Sequence, residues 1–184
     1  RYLAQEDLDR VSQANGGRYW IAQRTGGRSG REVLEQATDA AIRDRKRLLG
    51  YFGSQGGHLP YRTANGDYQP VRDVKGAEVY TPADLQENPT LADMTRSSLR
   101  FLENAPNGFW LMIEAGDVDW ANHANNLDNS IGAVISGDMA FAEVVRWVEA
   151  RNAWKDTVVI LTADHGHYLN LLRPEAIAQA AAGR

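Results

Sequence analysis

Hydrophobic and polar positions follow two periods along this chain, and each period predicts its own kind of element. From Gly30 to Arg47, the residues Val33, Leu34, Ala37, Ala41 and Ile42 recur at helical spacing among charged neighbours, the stripe of an amphipathic helix. Leu48 to Phe52 then reads as a short strand. From Gly53 to Pro89 the chain is rich in Gly, Pro, Asn and Asp, which favours a long irregular excursion over core elements. Thr90 is placed to cap a helix running through Glu103, its inward face made by Leu91, Met94, Leu99 and Leu102.

Two unbroken apolar runs follow. Phe109-Trp110-Leu111-Met112-Ile113, after the Pro106-Asn107-Gly108 turn, and Thr157-Val158-Val159-Ile160-Leu161 both read as strands buried on two faces. Between them lies a helix with Ile131, Val134, Ile135, Met139, Ala142, Val145 and Val148 inward. Strand, helix and strand make a βαβ unit, and the whole chain reads as an α/β fold with a mostly parallel sheet flanked by helices. In such sheets ligands gather beyond the carboxyl ends of the strands. The acids and imidazoles that follow the two runs are therefore expected on one edge.

Composition narrows the chemistry. The 184 residues, 43% hydrophobic and 24% charged, fit one globular domain or a large piece of one. A net charge of −4 argues against a nucleic-acid scaffold, which needs clustered Lys and Arg. The sequence has no cysteine, so any metal must be held by His and carboxylates. No apolar run approaches the ~18 residues of a membrane span, and no signal peptide opens the chain. The first residue is Arg1 rather than Met, so upstream sequence is expected to be missing.

Asp119 and His123 are four residues apart, so on a helix they share one face and can grip one ion. Asp164 and His165 are adjacent at a strand end, where the turning backbone lets both reach a metal. Zinc takes imidazole nitrogen and carboxylate oxygen at ~2.0–2.2 Å, and two divalent ions roughly 3.5–4 Å apart form a clamp for phosphoryl hydrolysis. Glu114, an oxygen donor, suits magnesium. An Asp-x-x-x-His spacing alone is common on solvated helix faces. Its placement at a buried strand terminus, matched by a second pair, favours metal, because unpaired charge is costly there.

The run Gly108 to Asn125, with Glu114, then Asp119 five residues on, then His123 four further, closely resembles the metal-binding segment of the alkaline phosphatase family. Thr157 to His165 is similar to that family's second zinc segment. The likeness extends upstream through Leu48–Phe52, Gly57–Tyr61 and Pro89–Thr95, and to Gly16–Tyr19 and Gly30-Arg31, so it covers most of the chain.

The resemblance implies that Asp119 and His123 hold a first zinc, Asp164 and His165 a second, and Glu114 a magnesium. It implies hydrolysis of phosphate monoesters through a covalent phosphoenzyme. Trp120 occupies a position where family members carry Lys, His or Trp, and would act indirectly on phosphate and magnesium binding. Asp117 is expected to support the ligands or lie on the surface, and His58 to be structural or to line a pocket. The family's Asp-Ser or Asp-Thr nucleophile motif, its metal-bridging Asp and its phosphate-gripping Arg match no segment here. The chain is therefore expected to be the C-terminal part, residues 1–184, of one larger domain, inactive alone and with no catalytic residue of its own. The first zinc's third His normally comes from downstream, and His167 is the sole later histidine. A homodimer and a periplasmic or secreted location follow from resemblance only. Two rival readings stay open: a related phosphodiesterase or sulfatase, which Glu114 disfavours, and a noncatalytic metal-binding fragment.

Overall fold

The structure, a computed structural model, describes residues 3–54, 57–167 and 173–182. The chain ends Arg1 and Arg184, and residues 55–56 within the predicted excursion, lie outside the described residues. A first helix, α1 (Gln5–Val11), leads through a short 3-10 turn to strand β1 (Tyr19–Gln23). Helix α2 (Gly30–Arg43) and strand β2 (Arg47–Tyr51) follow. The strands pair in parallel, Tyr19 opposite Arg47 and Ala22 opposite Gly50, so β1–α2–β2 is the βαβ unit that forms. This differs from the sequence expectation, which put that unit around residues 109–161 and gave β1 no place.

The predicted helix from Gly30 stops at Arg43, because Asp44 to Lys46 leave the helical path, Arg45 with a φ of 50°. Its buried face is Leu34, Ala37, Thr38, Ala40 and Ala41. Ala22, Leu34 and Ala37 form a core nucleus against which Val33, Leu48, Phe52 and Met94 pack. Residues 57–81 carry no helix or strand, and α3 (Pro82–Glu87) closes that stretch. Arg24, just past β1, ties α3 down by accepting neither partner's proton but donating to both: to Asp84 at 2.6 Å and to Glu87 at 2.9 Å.

Helix α4 (Leu91–Leu102) begins as predicted at Thr90, whose hydroxyl accepts from the Asp93 amide while Asp93 accepts from the Thr90 amide. It packs between α2 and the 24-residue helix α6 (Leu127–Ala150). Arg96 pairs with Glu143 of α6 at 2.6 Å, and Arg100 pairs with Asp39 of α2. Helix α5 (Asp117–His123) lies against α6, and α7 (Pro174–Ala182) comes last.

Two expectations are corrected here. Residues 109–113 and 157–161 join no sheet among the described residues, where β1 and β2 make the sheet. Their side chains are not buried on both faces: Leu111 and Val159 are half-buried, whereas Trp110, Met112, Val158 and Ile160 are 70–86% exposed. Residues 110–112 and 157–160 alternate with the period of two of a strand with one face packed and the other bare, and Leu161 at 82% exposed breaks it. Helix α6 likewise presents Ile131, Val134, Ile135 and Met139 to solvent and buries Asn129, Gly132, Ala133, Ala140 and Val148. Small residues won that face because they let neighbouring backbone approach closely: a Cβ on Gly132 would stand 1.9 Å from the Arg62 carbonyl oxygen. Among the described residues, no helix is long and apolar enough to cross a membrane.

Candidate metal centre

Helix α5 starts where the first apolar run ends, and its seven residues put Asp119 and His123 one turn apart. His123 Nε2 stands 3.2 Å from Asp119 Oδ1. The segment after the second run delivers His165 to the same oxygen, Nε2 at 3.3 Å. The three ligand atoms lie within 4.8 Å of one another. Two donors of a tetrahedral zinc at ~2.0–2.1 Å stand roughly 3.3 Å apart, the spacing seen at Asp119.

Hydrogen bonding does not account for this convergence. Asp119 Oδ1 is buried and has no hydrogen-bond partner. An unpaired carboxylate oxygen is costly unless a cation meets it. His165 Nδ1 donates to the Gly166 carbonyl at 3.0 Å, which in the neutral ring leaves the Nε2 lone pair free towards Asp119. That carbonyl, with the charges on Asp164 and Asp119, raises the His165 pKa above its usual 6.5. The donor set, one carboxylate and two imidazoles, suits zinc.

The group draws on both predicted zinc pairs. Asp164 and Glu114 stand outside it: Asp164 accepts from the His165 amide at 3.0 Å with its side chain 89% exposed. Glu114 lines a cavity of about 220 Å³ with His58, Asp117, Trp120, Leu91 and Ser136. His167 lies beside the cluster, its ring edge-on to His123 at 4.4 Å and its buried Nδ1 without a partner.

One contact was not foreseen. His58 Nδ1 hydrogen-bonds Asp117 Oδ1, and its Nε2 faces Glu78 at 3.7 Å. The bond to Asp117 is the main cause that lifts the His58 pKa, against burial and with help from the charges on Asp117 and Glu78. Burial raises Glu78 as well. No spacing rule joins a histidine in a Gly-rich loop to an acid far along the chain, so sequence offered no signal for this pair.

The profile of the alkaline phosphatase family matches residues 12–180. Alkaline phosphatase H of Pseudomonas aeruginosa (strain UCBPP-PA14) is 35% identical over 138 residues, 71% of this chain and 27% of that protein. Alkaline phosphatase of Escherichia coli (strain K12) is 32% identical over 148 residues, 79% of this chain and 30% of that protein. Alkaline phosphatase of Escherichia fergusonii is 34% identical over 137 residues, 72% of this chain and 28% of that protein. The chain thus spans less than a third of the length of these relatives. With the profile covering nearly its whole length, the chain belongs to the alkaline phosphatase family.

Proposed function

We propose that these residues are the metal-binding C-terminal part, residues 1–184, of a phosphate monoester hydrolase that uses two zinc ions and a magnesium. The observation that carries the reading is the meeting of Asp119, His123 and His165 around an oxygen that nothing else satisfies. In this reading Asp119 and His123 belong to one zinc, Asp164 and His165 to the other, and Glu114 to magnesium. When bound, such ions supply positive charge that stabilises a leaving oxygen and eases deprotonation of a hydroxyl nucleophile. The nucleophile and the phosphate-binding Arg come from sequence outside these residues. The same missing part supplies strands that pair with residues 109–113 and 157–161 and cover the bare stripe of α6. Phosphomonoester substrates, pairing of two copies and a periplasmic or secreted location belong to the same proposal.

Within the site, the chain's own groups have distinct tasks. Asp119 offers an acceptor held on a helix. His165 is oriented by the Gly166 carbonyl so that Nε2 faces inward. The test is metal content of the purified chain by emission spectroscopy, with Asp119→Ala and His165→Ala beside it. Retention of zinc is expected in the unaltered chain and loss in both variants; equal zinc in all three overturns the reading. Hydrolysis of p-nitrophenyl phosphate by these residues alone, at the rate of an intact family enzyme, would place the nucleophile inside the chain instead.

A further inference from the structure

We infer that His58 is a positioning residue for the metal centre, holding one face of α5 through Asp117 and Trp120 so that Asp119 and His123 are turned towards His165. The inference rests on the metal reading above. Helix α5 has seven residues, and its N-cap, Gly116, makes no side-chain cap bond. So short a helix is marginal by itself. Its start and its rotation have to be set from outside.

His58 is built to set them. Its Nδ1 bonds Asp117, the first residue of α5, and its ring lies edge-on to Trp120 at 5.7 Å. At 3.6 residues per turn, Asp117 and Trp120 share one face, while Asp119 and His123 share another roughly 110° around the axis. Fixing the first face therefore aims the second. A flexible histidine could not do this, but His58 is anchored on both sides. Its carbonyl accepts from the Ser54 amide at 2.8 Å and the Ser54 hydroxyl at 3.1 Å. Three residues on, the Tyr61 hydroxyl accepts from Asn129 Nδ2 of α6 at 3.0 Å. Asp128 of α6 accepts from the Ala64 amide at 3.0 Å. Loop, α6 and α5 thus form a closed frame around His58, whose side chain is 14% exposed.

The test uses the full 184-residue chain with His58→Ala, His58→Asn and His58→Gln. The Asn amide nitrogen falls near the place of Nδ1 and that of Gln near Nε2, so Asn alone restores the contact to Asp117. Zinc affinity, read by competition with a chromophoric chelator, is expected to fall roughly 10–100-fold in the Ala and Gln variants and to recover to within about threefold in Asn. In metal-free protein, amide hydrogen exchange in α5 is expected to quicken relative to α4 in the Ala and Gln variants but not in Asn. An Ala variant that keeps either native affinity or native exchange overturns the inference, as do equal losses in all three variants. Should the Ala variant fail to fold, the Gln variant carries the same comparison. An unaltered chain that binds no zinc would overturn the metal reading instead, and the exchange data would still decide whether His58 orients α5.

Discussion

Asp119 Oδ1 and His165 Nε2 face each other at 3.3 Å, although the whole of α6 separates them in sequence. The oxygen has no hydrogen bond, so the pair has the spacing of two donors around one ion. Replacing His165 with Ala removes one of three converging atoms. Zinc affinity is expected to fall by at least the ~10–100-fold that losing an outer partner costs. Chelator competition reads the loss, and an unchanged affinity would remove His165 from the site.

The notch at Gly132 predicts a large cost for a small change. A methyl group there would meet the Arg62 carbonyl oxygen at 1.9 Å and the Arg62 carbonyl carbon at 3.0 Å, both backbone atoms that cannot swing aside. Gly132→Ala is expected to destabilise the chain by about 1–3 kcal/mol despite the better helix propensity of Ala. Urea unfolding measures it; a stabilised variant would show that the loop can lift away freely.

Thr90→Ala removes the hydroxyl that accepts from the Asp93 amide at 3.2 Å and donates to the Asp93 carboxylate at 2.7 Å, while the bond from the residue 90 backbone amide remains. A loss of about 1 kcal/mol in urea unfolding is expected. Thr90→Ser should keep most of the stability, since Ser caps equally well.

Exposure makes the opposite forecast for Ile160. At 80% exposed, it gains little from its surroundings in the isolated chain. Ile160→Ala is expected to change stability by under ~0.5 kcal/mol, where a fully buried Ile would lose ~2–5 kcal/mol. A large loss on thermal unfolding would mean that this run is packed in solution.

The His58 contact should be visible in the pH dependence of stability. The groups facing His58 are Asp117 of α5 and Glu78 of the loop, with the Trp120 ring alongside. Its folded pKa lies above the reference value of 6.5, raised chiefly by the Asp117 bond. The charged contact is therefore fully stabilising below 6.5 and is lost as pH rises through the folded value. The stability advantage of the native chain over His58→Gln is expected to shrink across that window. A constant difference from acid to mildly alkaline pH would contradict it.

Elements set by local chemistry were legible in the sequence. Thr90 announced α4, the stripe through Leu34, Ala37 and Ala41 announced α2, and the strand expected from Leu48 to Phe52 announced β2, which runs from Arg47 to Tyr51. What failed depends on partners far away. Residues 109–113 carry the pattern of a buried strand, yet a strand is buried only by neighbours, and the described residues supply none. Helix α6 has two faces able to pack, and hydrophobicity favoured Ile131 and Met139 whereas shape favoured Gly132 and Ala133. At the site, the spacing of Asp119 and His123 was readable, and so was their meeting with the segment that carries His165. The place of Asp164, whose Oδ2 stays 3.8 Å from His165 Nε2 while its side chain is 89% exposed, and the reach of His58 to Asp117 depend on loop paths that no periodicity encodes.

The close seat of Arg62 against Gly132 works as a key in a slot. One turn back along α6, Asn129 bonds the Tyr61 hydroxyl and Asp128 accepts from the Ala64 amide, so the loop is tied to the helix on both sides of Arg62. Since α5 also leans on α6, one rigid rod serves as the common ruler for both the loop histidine and the ligand-bearing helix. The separation between them is thereby inherited from helical pitch rather than from the length of an irregular connection.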